Sequence, residues 1–380
     1  MIAYSEKELY NGHILAQARE AFKAGKISAE SIQKIELAYP CKLYTPHFFI
    51  ALALGFLTVL AFAFTGFLFG LLTGIDSSAG LISTGIFMVA LSYGTLEWLV
   101  KSKMYFNAGV DNALMVLVLV FTSVVFFSSY EDPSWIFFNS LMLLISLWLS
   151  VRFADAFMAV VSAGLFLTLC FLWFFKGGGS SWVYFSLGMM LLTGGFYFGL
   201  KKTEKKASFI YEKCITALEV FLLLAFNAAG NYWLIEALQG FTMEMTAALS
   251  FGWLSWILTC LIPIVYILYG VYKKELLPLR TGMFLVLLTV LTYKYYYALL
   301  PLEVEMLALG SVFLATGYFF IKWLRPDRYG FTSAINFSRP AWKNVEALVI
   351  AETLGENPIS REDTLMAGGS SGGGGASGDF

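Results

Sequence analysis

Charge is the scarcest property of this sequence. Asp, Glu, Lys and Arg make up 13% of its 380 residues, about half the roughly 25% of an ordinary soluble domain. Histidine is rarer still. His13 and His47 are the only two, too little imidazole for a zinc or haem site. Cys41, Cys170, Cys214 and Cys260 are scattered, with no CxxC pair. Cys170 and Cys260 fall inside apolar runs and are expected as small buried hydrophobes rather than disulfide partners. No metal and no cofactor is expected. GxxxxGK[ST], HExxH and GxSxG are all missing, so ATPase and hydrolase readings have no support. The net charge of −1 offers no domain-wide basic surface, and nucleic acid is not expected as a partner.

What fills the sequence is apolar and aromatic: 58% hydrophobic residues, with 36 Phe, 20 Tyr and 10 Trp, and a mean hydropathy of +0.72. Such a chain cannot hide its apolar surface in a water-soluble core, and its solvent is expected to be a lipid bilayer. Ten apolar segments, each near the ~20 residues that cross a bilayer core, fall at about 48–73, 79–100, 110–128, 135–151, 156–175, 182–200, 215–236, 247–272, 281–300 and 304–324. The fourth is short, and eight to ten spans are compatible with the pattern. The expected fold is an all-α polytopic bundle over residues 47–325.

Before it, residues 1–46 read as a helical hairpin, too polar for a secretory signal peptide. Ser5 and Glu8 form a capping-box pattern and Ser28 is the expected N-cap of the second helix. In the first helix Ile14, Leu15, Ala18 and Phe22 recur at helical spacing. After the bundle, residues 326–366 contain one amphipathic helix at 341–357, and 367–380 is a Gly/Ser-rich tail that cannot pack a core. That tail is similar to the Gly-rich ends of bacterial membrane-anchored proteins; an expression linker is the alternative.

Lys and Arg alternate between connections. Fourteen lie in one set, from Lys101 and Lys103 through Arg152 and Lys201 to Arg328, and Lys176 alone in the other. By the positive-inside rule both termini are expected in the cytoplasm, with an even number of spans.

Ionisable groups at membrane depth are costly and are functional candidates by default. Asp111, Asp155 and Glu219 fall near helix N-termini, where capping and the helix dipole account for a carboxylate. Glu97 lies at a C-terminus, where the dipole disfavours it, and Lys101 is four residues on. An ion pair is one reading. A polar mouth built from Glu97 with Asn107, Asp111 and Asn112 is the other. Lys294 stands among tyrosines in "LTYKYYYALLP", about 9 Å below the end of its span by helical rise. Snorkelling to the surface accounts for it. The sharper alternative is a pocket of Lys294, Asn227, Asn231, Glu236 and Tyr297 between spans seven and nine. Gly66-x-x-x-Gly70 and Gly195-x-x-x-Gly199 are expected to let helices approach closely.

The hairpin segment "KAGKISAESIQKI", the connection "LEWLVKSKMYFNAGVDNALM" and the run "YKYYYALLPLEVEMLALGSVFLATGYFFI" together resemble a bacterial multi-pass membrane family. Its members carry a predicted-membrane-protein domain of unknown function after an N-terminal G-x-I-[ST]-x-E hairpin. The resemblance covers about 1–325. It implies the bacterial inner membrane and brings no activity, no catalytic residues and no oligomeric state.

Two functions follow as expectations. One is a transporter-like or channel-like protein with polar sites near Glu97/Asp111 and Lys294. The other is a non-catalytic scaffold or sensor that binds a cytosolic protein through residues 1–46 or 341–357. An intramembrane enzyme ranks third.

Overall fold

The computed structural model describes residues 2–23, 27–132, 134–176, 182–204, 209–242 and 252–296, with scattered helical positions between 303 and 322. The expected tenth span lies largely outside the described residues. So do Tyr297, the 341–357 helix and the 367–380 tail.

The described chain is helical, and its one β-bridge joins Tyr44 to Tyr105. Twelve α-helices run in order: α1 Glu6–Lys23, α2 Ala29–Ala38, α3 Phe48–Thr73, α4 Ser78–Trp98, α5 Val110–Ser129, α6 Trp135–Phe153, α7 Ala156–Lys176, α8 Trp182–Glu204, α9 Glu212–Gly230, α10 Tyr232–Thr242, α11 Gly252–Lys273 and α12 Leu276–Tyr296. Eight are long and apolar enough to cross a membrane: α3 to α8, α11 and α12. This is a multi-pass helical membrane protein.

Two units divide the chain. In the first, Met1–Glu6 and Leu43–Tyr296, successive helices pair as hairpins: α4 with α5, α6 with α7, α8 with α9, and α11 with α12. The helix α3 packs on α4 and α5, while α9 touches α7, α8, α10, α11 and α12. That gives α9 more helix neighbours than any other described helix, and two of the buried polar residues, Glu219 and Asn227, lie on it. Its outward neighbours show the opposite. Leu72, Leu191 and Leu144 stand exposed, as lipid-facing side chains must when hydrocarbon replaces water.

The expected seventh span, 215–236, does not form one helix. It breaks at Asn231, whose backbone turns extended with ψ 125°. Two hydroxyl and amide groups take over the broken ends. Asn231 Oδ1 accepts the Leu234 amide at 3.2 Å, and Thr259 Oγ1 of α11 accepts the Tyr232 amide at 3.0 Å. Thr289 of α12 in turn donates to the Thr259 carbonyl at 3.1 Å. Helix ends inside an apolar bundle require such substitutes.

Glycine sets the closest crossings, and only half as expected. Gly66 and Gly70 are the buried residues of α3, and a Cβ at Gly66 would touch Met88 and Phe121. Around Gly195 and Gly199 lies open space, so that pair makes no helix contact. The tight α11/α12 approach rests instead on Gly270 against Leu279 and Gly282 against Ile267. At Gly109 the backbone is left-handed, φ 84°, and a Cβ would overlap the Ala51 carbonyl of α3. Only glycine fits that position.

The second unit includes Lys7–Lys42. Its core is Ile14, Ala18, Ala21, Ile27 and Ile35. Phe22, expected on the inner face, is exposed, and Ala21 takes its place. Ser28 caps α2 as expected, accepting the Ser31 amide at 3.1 Å. The capping box at Ser5 is different. The Glu8 carboxylate turns to the Lys42 amide at 2.8 Å, and Asn11 donates to the Pro40 carbonyl at 2.7 Å, closing the hairpin at its far end. The cysteines are free, with Cys214 buried and Cys260 exposed rather than buried.

Candidate functional site

Three clusters of polar residues stand out in the first unit. The first gathers where α4, α5, α6, α7 and α9 meet. After Trp98 the helix widens into a π turn, Leu99–Lys103, and the loop beyond holds Met104 and Asn107 at φ 53° and 50°. Non-glycine residues in the left-handed region are uncommon and mark a backbone held by its surroundings. Here the Tyr44 amide donates to the Met104 carbonyl at 2.9 Å and Phe106 returns a bond to Tyr44 at 3.2 Å.

Glu97 sits just before that turn. Arg152 of α6 clamps it with two nitrogens, Lys101 lies 3.0 Å away, and the Tyr93 hydroxyl donates at 3.1 Å. Trp148 donates to Tyr93 in turn. The ion pair with Lys101 is present, but the main partner is Arg152. Asp111 is 1% exposed and accepts the Ala108 amide at 2.9 Å, so its carboxylate organises its own loop. Asn107 is exposed on that loop, and the buried Asn112 Oδ1 has no hydrogen-bond partner among the described residues. Glu97 thus turns toward Arg152 of α6, while the Asp111 carboxylate turns toward its own loop's backbone.

Asp155, in the tight turn between α6 and α7, is 5% exposed and accepts the Met158 amide at 2.7 Å. Burial pushes its carboxyl above the usual carboxylate range, Asp111 adding to this while the Met158 amide opposes it. Tyr4 joins the same place. Its ring meets Phe106 edge-on at 5.1 Å and Phe153 at 6.5 Å, and the Ala3 amide donates to the Arg152 carbonyl at 2.9 Å. Burial first, and then Asp111 and Asp155, raise the Tyr4 phenol far above its ordinary value.

The second cluster is the expected pocket around Lys294. Lys294 lies half-buried in the last turn of α12, between exposed Tyr293 and Tyr295. Glu236 of α10 accepts a hydrogen bond from Tyr296. That tyrosine packs edge-on against Tyr232 and Trp256, themselves stacked at 5.0 Å. Asn227 and Asn231, expected on one helical face, are separated by the break, and the Asn231 oxygen is used by the Leu234 amide. Asn227 remains buried, its Oδ1 without a hydrogen-bond partner among the described residues.

The third cluster centres on Glu219. Glu219 is 1% exposed and stands two turns inside α9, which begins at Glu212. Dipole stabilisation fades within the first turn, so it does not account for this carboxylate. Tyr197 of α8 is 7% exposed, packs with Leu222 and Leu223 of α9, and lies within electrostatic reach of Glu219 and Glu275. Its hydroxyl has no hydrogen-bond partner among the described residues. Tyr266 of α11 donates to the Leu223 carbonyl at 3.1 Å. Above Tyr197, Lys201 bonds Glu275 at 2.6 Å, joining α8 to the α11/α12 turn. The signal in the sequence was the depth of Glu219 within "CITALEVFLLLAFN" once the helix start was placed at Glu212.

No protein-family model, no curated protein and no solved structure matches this chain.

Proposed function

We propose that this multi-pass membrane protein is transporter-like or channel-like and carries a small ion or polar solute along α9. The observation that supports this is the stripe of buried polar groups on the described helix with the most helix neighbours: Glu219, then Asn227, then the break at Asn231. A carboxylate such as Glu219 costs ~2.5–3.5 kcal/mol at the centre of a span when ionised, a buried amide such as Asn227 needs hydrogen-bond partners, and broken helices in membranes line polar paths. Within this reading α9 and the 304–324 run bring the crossings to about ten. Both termini are cytoplasmic, as the alternation of basic connections implies. The membrane is the bacterial inner membrane. Lys294 lies toward the outer end of the same path.

A single cysteine at Asn227, in a chain whose four native cysteines are replaced by serine, tests it. Reaction with a membrane-impermeant maleimide in intact vesicles is expected. Complete protection, in a protein that still labels with a permeant maleimide, counts against a water path.

A second reading, a scaffold or sensor, draws on one feature. The hairpin holds its own core yet leaves Leu37 83% exposed, an apolar contact point for a cytosolic protein. Deletion of residues 1–40 would then abolish function and leave membrane insertion intact.

A further inference from the structure

We propose that Glu219 is a proton-binding site and that the Lys201–Glu275 ion pair is the gate that closes it from water. This deepens the transport reading by naming the proton as the ion, and it rests on that reading only for the proton's passage across the membrane.

Three observations converge. Glu219 is almost fully enclosed, two turns into α9, where a carboxylate gains stability by holding a proton rather than a charge. The Tyr197 hydroxyl, within electrostatic reach of Glu219, is buried and has no hydrogen-bond partner among the described residues. A phenol serves either state of an acid, donating to the carboxylate and accepting from the protonated form. Finally, the Lys201 ammonium sits 5.9 Å from the Tyr197 ring centroid while bonding Glu275 at 2.6 Å. Tyr197 thus lies within electrostatic reach of both the buried acid and an ion pair whose side chains are 24% and 32% exposed. In this reading, separating that partly exposed pair admits water toward Tyr197.

The surroundings are otherwise poor in charge. Against α9, the helix α8 presents Tyr197 and Lys201, and α11 presents Tyr266 and Tyr269, with Glu275 in the following turn. Asp155 lies ahead of α7, within electrostatic reach of Cys214. Of the charged groups of α10 and α12, Arg280 and Lys294 lie near the ends of α12, and Glu236 in mid-α10 accepts a hydrogen bond from Tyr296. Within that set no cation other than Lys201 borders Tyr197, so the gate residue also sets the field at the site.

The test uses the full-length protein in lipid nanodiscs. A hydrophobic carbodiimide, which attacks protonated carboxyls in apolar surroundings, is expected to form an adduct on Glu219. The yield should rise toward acidic pH and vanish in Glu219→Gln. A water-soluble carbodiimide with glycine ethyl ester is expected to label Glu219 several-fold more in Lys201→Gln than in the parent protein. Glu275→Gln provides the same opening should Lys201→Gln fail to fold. No hydrophobic adduct at any pH, with the thermal transition intact, overturns the site. Equal aqueous labelling of parent and gate variants overturns the gate. Proteoliposomes holding a pH-sensitive dye separate the two levels: an adduct without proton flux upholds the site and overturns the transport reading.

Discussion

Arg152, in the last turn of α6, holds Glu97 of α4 across 55 residues of sequence, Nε to Oε1 at 2.9 Å and a second nitrogen to Oε2 at 3.2 Å. Bidentate geometry of this kind uses the planar fork of arginine, and the pair ties the α4/α5 hairpin to the α6/α7 hairpin. Both side chains are about four-fifths buried, 20% and 16% exposed. Arg152→Met strands a carboxylate that keeps only Lys101 and Tyr93, at a cost of about 2 kcal/mol after allowance for that residual exposure. The thermal midpoint in detergent measures it. Adding Glu97→Gln to Arg152→Met should recover part of the loss; strictly additive losses would show that the two side chains do not support each other.

Asp155 gives the protein a pH dependence of known sign. Burial raises its folded-state pKa, so between the ordinary carboxylate range and that raised value the folded chain binds more protons than the unfolded one. Its contribution is fully present below the ordinary range and is lost as pH climbs through the interval. Asparagine caps a helix about as well as aspartate and does not titrate. Asp155→Asn is therefore expected to flatten the decline in melting temperature from acid to neutral pH and to equal or exceed the parent at neutrality. Identical slopes in the two proteins would contradict this.

Two glycines should respond in opposite ways. Gly109→Ala forces a side chain into a left-handed position and against the Ala51 carbonyl, costing ~2 kcal/mol or more. Gly195→Ala enters open space within α8 and should stabilise by ~0.5–1 kcal/mol through helix propensity. Melting curves of the pair in one detergent decide it, and a larger loss at Gly195 than at Gly109 would refute the placement.

Ser28→Ala removes the cap of α2 and leaves the Ser31 amide without its acceptor. The expected loss is ~1 kcal/mol, confined to the hairpin. Amide exchange should quicken over residues 29–38 and stay unchanged in α4 and α5.

The helices were legible because hydrophobic runs of membrane length admit few alternatives. Ser28, with its cap pattern, and Gly66 with Gly70 were legible for local reasons. Most of the differences are relational. Nothing local tells Gly195 from Gly66, since a glycine stripe does not say which face meets a neighbour. Arg152 could not be matched to Glu97 from 55 residues away. The break at Asn231 hid inside an apolar run because the group that makes it tolerable, the Thr259 hydroxyl, belongs to another helix. Glu219 was assigned to a helix end because the start of α9 was placed three residues late, at 215 instead of Glu212.

The break has a mechanical side. A continuous helix carries an axial push from end to end, but the rod formed by α9 and α10 is interrupted at Asn231. A load on α10 passes through the Tyr232 amide to Thr259 and, by way of the Thr289 hydroxyl, into α12. These bonds couple the start of α10 to the α11/α12 pair, whose connecting turn holds Glu275. The hydrogen bonds thus link α10 to the neighbouring α11/α12 hairpin rather than along the helix that bears Glu219.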